Sequence, residues 1–163
     1  MNDQPFTHLD SSGQARMVDV TAKTPTVRQA TAAGFVRCAP SVITALQSGT
    51  APKGDVLAVA RIAGIQGAKR TAELLPLAHV IGVHGVTLDI DIEELGVRIE
   101  ATVRTADRTG VEMEAITAVS VAALAFVDMV KGMDRTVVIQ DIRLLAKSGG
   151  RSGDWTRPAD PLG

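Results

Sequence analysis

The chain has 163 residues, 45% hydrophobic, 21% charged and only 2% aromatic, which describes one globular domain with a core of Ala, Val, Ile and Leu and excludes a disordered chain. A net charge of −1 and a pI near 6.3 exclude the broad positive field of a nucleic-acid-binding protein, so an anionic ligand must be small and met locally. A single cysteine, Cys38, excludes an internal disulfide; the opening residues lack a secretory leader, and the longest apolar run, residues 115–127, is too short to span a membrane, so a soluble cytoplasmic protein is expected.

Residues 1–24 are polar and rich in turn formers, and read as an N-terminal arm with a short ordered piece at Met17-Val18-Asp19-Val20. Residues 27–39, VRQATAAGFVRCA, end as a strand before Pro40, which then opens a short helix that Gly49 stops. A longer helix is predicted over residues 55–75, capped by Asp55 and ended by Pro76. Val86, Leu88, Ile90 and Ile92 alternate with polar residues, and after Glu94-Leu95 the same alternation returns at Val97, Ile99, Ala101 and Val103. That pattern is an antiparallel hairpin with one apolar face. Residues 110–133 form a third helix whose middle, AITAVSVAALAFV, is apolar on nearly all sides and must be buried. Residues 136–146 give a last strand, and the Gly-, Ser- and Pro-rich stretch from Lys147 reads as a tail. The order is that of an α+β, ferredoxin-like β-α-β-β-α-β subunit: an antiparallel sheet, helices on one face and one extra helix. The predicted organisation is an arm (1–24), a single domain (25–155) and a flexible C-terminal tail (156–163).

Several residues suit chemistry, each with a plainer alternative. Lys53-Gly54-Asp55 precedes a helix N-terminus and fits a phosphate site, or a solvated turn before an ordinary cap. Arg61, Lys69 and Arg70 are cations inside an apolar helix, for which a solvated face is the favoured reading. In Lys147-Ser148-Gly149-Gly150-Arg151 glycines let amides converge on an anion between two cations, or make a solubilising tail. Glu112 and Glu114 open the third helix and Lys131 closes it, as the helix dipole favours; Asp128 has no such explanation and lies three residues from Lys131. If that pair borders a desolvated surface, it suits proton transfer; otherwise it is a structural ion pair. His79 fits a phosphate contact or proton shuttle, or a satisfied loop histidine. With Cys38, the three histidines His8, His79 and His84 match no compact metal motif, so no metal site is expected.

Taken together, His8, RMVDV (16–20), KGDV (53–56), ARIAGI (60–65), AKRT (68–71), LPL (75–77), TGVEMEA (109–115), Asp128-Met129 and LLAKSGG (144–150) resemble the signature blocks of the molybdenum-cofactor biosynthesis protein C family, the cyclic pyranopterin monophosphate synthases. The resemblance runs from His8 to Trp155. It implies a phosphorus-oxygen lyase that converts a cyclised dihydro-GTP, made by a preceding radical GTP cyclase, into cyclic pyranopterin monophosphate and pyrophosphate. It implies a homohexamer, a trimer of dimers, with each active site at a dimer interface, and neither nucleic acid nor membrane as partner. No cofactor is required, and a divalent cation such as Mg on the pyrophosphate is compatible. By the same resemblance Lys53, Lys131 and Asp128 are catalytic. Arg28 reaches across the interface, Lys69, His79 and Lys147 line the triphosphate end, and Glu112, Met113 and Glu114 lie near the purine. Residues 78–80 (Ala-His-Val), Val127 and Gly132 depart from the family pattern, which keeps open a non-catalytic paralogue binding a purine or pterin phosphate. A zinc-dependent cyclohydrolase would need a Cys/His set this sequence lacks.

Overall fold

The computed structural model describes Leu9 and residues 12–159, so His8 and the end of the expected tail lie outside the described residues. The alternating segments pair as expected: β2 (Gly85–Glu93) and β3 (Gly96–Asp107) form a hairpin closed by Glu94 and Leu95, in register from Glu93 opposite Gly96 to Gly85 opposite Arg104. β1 (Thr26–Arg37) lies antiparallel between β3 and β4 (Val138–Ser148), and a two-residue β5 (Trp155–Thr156) adds to the outer edge of β4. The sheet order is β2-β3-β1-β4-β5, the ferredoxin-like arrangement with one added edge.

Among the described residues, three helices of more than two turns and one short one complete the fold. α1 (Pro40–Ser48) starts on proline and ends at Gly49, whose left-handed φ of 67° lets its N–H reach the carbonyls of Ala45 and Leu46. α2 (Val56–Lys69) is capped by Asp55, which accepts from the Ala58 N–H at 2.9 Å. The single helix expected through residue 75 breaks at Arg70 and resumes as α3 (Thr71–Leu74). There the buried Thr71 hydroxyl donates to the carbonyls of Gly67 and Ala68, giving the chain a local bond that competes with continued helix.

α4 (Glu112–Val130) crosses the sheet. It is long and apolar enough to span a membrane, yet nine of its 19 residues are buried inside this domain. Phe126, Val119 and Ala122 share one core with Val97, Ile99, Ala101 and Val103 of β3 and Ala30 and Ala32 of β1, and Val119 lies directly against Gly34 of β1. Small side chains on β1 let the helix sit close, which compensates for a nearly ring-free core. The last strand departs from expectation: it runs two residues further, to Ser148, kinks at Asp141 (φ 56°), and the stretch expected as tail returns along it as β5.

Candidate active site

Two adjoining cavities open where the N-terminus of α4 meets the arm and the end of β4. The larger, about 990 Å³, is walled by Lys23, Arg28, Arg108, Lys147 and Arg151, with Glu112 as the acid among them. Arg28 is held in place by its own backbone contacts: Nε donates to the Asp107 carbonyl at 3.0 Å and Nη2 to that of Arg108 at 3.2 Å. Lys147 Nζ pairs with Glu112 at 3.4 Å and donates to the Ser152 hydroxyl. Gly149 and Gly150 turn the chain with φ of 83° and 77°, and a Cβ on Gly150 would collide with Arg28 Nη1. Glycine is favoured at both positions by the left-handed turn, and at Gly149 also by the Val27 main-chain carbonyl, which a Cβ would strike. With five cations facing one carboxylate, this cavity is built for a multiply charged anion.

The smaller cavity, about 390 Å³, shares Lys23, Thr109, Gly110 and Glu112 with the first and is completed by Val18, Val20, His79, Met113 and Glu114. His79 Nε2 donates to the Val18 carbonyl at 2.6 Å, tying the arm down and leaving Nδ1 as the ring's second nitrogen. The expected ordered piece at residues 17–20 is thus present as cavity wall, without regular secondary structure. Glu114 is buried, and burial pushes its carboxyl from 4.5 up to about 7; the neighbouring Glu112 adds to the rise, while a hydrogen bond to its own backbone and the nearby His79 oppose it. Such a group exchanges protons at neutral pH.

Lys53, Asp128 and Lys131 meet at the other end of α4. Asp128 Oδ1 accepts from Lys131 Nζ at 2.7 Å and Oδ2 lies 3.4 Å from Lys53 Nζ, which also donates to the Asp128 main-chain carbonyl at 2.7 Å. Lys53 thereby satisfies a carbonyl of the last helical turn, where a cation suits the helix dipole, rather than the amides at the start of α2. Within one chain the cluster is open to solvent, with Asp128 60% and Lys131 62% exposed. The hydrogen bond and charge of Lys131, and then Lys53, hold the Asp128 carboxyl below its ordinary range. The desolvated surface that would suit this pair to proton transfer is not provided by the single chain, in which both side chains are exposed.

The chain thus brings Arg28 and Lys147 together with Glu112, and His79, Met113 and Glu114 beside them, and gathers Lys53, Asp128 and Lys131 elsewhere. Lys69 is exposed on the last turn of α2 and lines neither cavity. Arg61 and Arg70 are occupied structurally, Arg61 Nε on the Leu88 carbonyl at 3.0 Å and Arg70 on Glu73 at 2.7 Å. Among the described residues no cluster of three His, Cys, Asp or Glu side chains suits a metal ion.

The sequence model of the MoaC family matches residues 17–150, a span that includes Arg28, both cavities' helical wall, Asp128 and Lys147. The chain belongs to the MoaC family. A Streptomyces coelicolor protein named cyclic pyranopterin monophosphate synthase is 60% identical over 152 residues, 93% of this chain and 89% of its own length. One of the same name from Nocardioides sp. is 54% identical over 97% of this chain and 100% of its own, and a Mycobacterium tuberculosis cyclic pyranopterin monophosphate synthase 2 is 53% identical over 93% and 91%. In this MoaC chain, Lys23 and Arg108 are cavity cations that neither periodicity nor local spacing singles out. Their neighbours in sequence, the arm turn and the end of β3, meet only after β3 has paired with β1. Lys23 carries no signal in the sequence, and Arg108 is marked only by its place at the start of the signature block that opens α4.

Proposed function

We propose that this chain is a cyclic pyranopterin monophosphate synthase of molybdenum-cofactor biosynthesis, a soluble cytoplasmic lyase that converts cyclised dihydro-GTP into cyclic pyranopterin monophosphate and pyrophosphate. The observation that carries the reading is the pair of joined cavities, cation-walled at one end and holding a neutral-range carboxyl, Glu114, at the other. Closing a cyclic phosphate requires the departing pyrophosphate's charge to be met by fixed cations, the part given to Arg28 and Lys147 with Lys23, Arg108 and Arg151. Rebuilding the ring system requires protons to be given and taken, the part given to Lys53, Asp128 and Lys131.

Those two sets lie at opposite ends of α4, sixteen residues apart from Glu112 to Asp128, or about 24 Å at 1.5 Å per residue. A small substrate held by Glu112 cannot reach the Asp128 cluster of the same chain. We therefore place the working site between two copies, one supplying the cavities with Arg28 and the other Lys53, Asp128 and Lys131, within a hexamer of three such dimers. A second copy would also cover the exposed Asp128 cluster. Lys69, at the far end of α2 from Lys53, joins a phosphate-binding set only through that assembly.

The test is turnover of the cyclised dihydro-GTP by purified protein, with pyrophosphate and cyclic pyranopterin monophosphate expected in equal amounts. Tight binding of the compound without product would make the chain a ligand-binding paralogue.

A further inference from the structure

The wall of the cation-lined cavity that carries Lys147 and Arg151 is the end of β4 and the loop, residues 149–154, that joins it to β5. Inside the loop, Asp154 Oδ1 accepts from the Gly149 N–H at 3.0 Å and the Gly153 N–H reaches the Gly150 carbonyl at 3.3 Å. The return is a ladder of only two residue pairs, Ala146 with Thr156 and Lys147 with Trp155. A two-residue edge strand has little stability of its own. Arg157 comes directly after it: its N–H donates to the Leu145 carbonyl and its Nε to the Leu144 carbonyl, both at 2.7 Å, and its guanidinium lies 5.8 Å from the centre of the Trp155 ring. Arg157 lines neither cavity and lies beyond the residues matched by the family model.

We propose that Arg157 is a positioning residue that latches β5 onto β4 and so holds the Lys147–Arg151 loop in the conformation that receives phosphate. The latch rests on the reading of the cavity as the pyrophosphate site. Its logic is preorganisation: a loop ordered before binding does not have to lose its conformational freedom on binding. The side chain holds the Leu144 carbonyl and the ring together, while the main-chain N–H to Leu145 is common to any residue but proline; losing the guanidinium therefore removes two of the three contacts that fasten so short a ladder.

Trp155 is the one tryptophan in a chain without tyrosine, so its emission reports on the latch directly. The experiment titrates the full chain and its variants with inorganic pyrophosphate by calorimetry, follows Trp155 emission in parallel, and measures KM and kcat for the dihydro-GTP compound. Arg157→Ala is expected to red-shift the emission, weaken pyrophosphate binding about tenfold or more and raise KM alike, with kcat kept within about twofold, the signature of lost binding rather than lost chemistry. Arg157→Lys, which keeps the cation over the ring, should recover part of the affinity. Asp154→Ala, which frees the Gly149 amide without touching Arg157, should weaken binding in the same direction. Unchanged pyrophosphate affinity in Arg157→Ala, whatever Asp154→Ala does, or a fall in kcat with KM unmoved, would overturn the latch. Wild-type protein that binds pyrophosphate but turns nothing over would instead overturn the functional reading while leaving the latch measurable.

Discussion

Glu114 ties ionisation to folding. Its carboxyl titrates near 4.5 when unfolded and at about 7 when folded, because burial penalises the charged form. A raised pKa means the folded state holds the proton more tightly, so its stabilising contribution is complete below the unfolded value and is lost as pH rises through about 7. Wild-type protein should therefore lose denaturation midpoint between about pH 4.5 and 7 relative to Glu114→Gln, whose amide does not ionise in that window. Parallel pH curves for the two proteins would show that Glu114 does not titrate there. In the sequence this residue was legible as a first-turn acid that suits the helix dipole and, by the family resemblance, as a group near the purine; its burial was not. It shares a cavity with Val18, Val20 and the His79 loop, which arrive from distant parts of the chain. Asp128 shows the reverse: the spacing to Lys131 correctly announced an ion pair, while its surroundings were not legible, because they depend on what covers the end of α4.

At the scale of elements, the hairpin, α1 and the core helix were legible from alternation, from Pro40 and Gly49, and from an all-round apolar run. The break at Arg70 was not, since it depends on a buried hydroxyl, and β5 was not, since two residues of strand carry no period. The α2–α4 contact was also hidden. Gly64 looks like a weak point in a helix, but a Cβ there would lie 2.8 Å from the Ala118 carbonyl oxygen and 3.0 Å from the Ala122 Cβ, and would collide with the end of Leu88. The Leu88 tip can swing aside; the carbonyl belongs to the α4 backbone and cannot. Gly64→Ala gains up to about 1 kcal/mol of helix propensity and loses about 1–3 kcal/mol to overpacking. The net expectation is destabilisation by about 1–2 kcal/mol in urea unfolding, and a more stable variant would mean the helices are not in such close contact.

For the whole molecule, the position of α4 decides the account: one end anchors the cavities, the other the Lys53–Asp128–Lys131 cluster, and a single chain does not join them. Asp128→Asn keeps the shape of the side chain but replaces the carboxylate that both lysines contact. It should leave folding and assembly intact and lower turnover by about two or more orders of magnitude, the range for losing a general acid or base, as read in a product assay beside a sedimentation profile. Near-normal turnover would make the cluster structural.

The most direct measurement mixes two defective proteins. Arg28→Ala damages the cavity and Asp128→Asn damages the cluster, so each alone should be nearly inactive. If each site takes Arg28 from one copy and Asp128 from another, unfolding the two together and refolding them at equal amounts should restore about a quarter of wild-type activity, since half the random dimers are mixed and each holds one intact site. A mixture no more active than its parts, with mixed assemblies demonstrably formed, would place both residues in the same subunit's site and contradict the account.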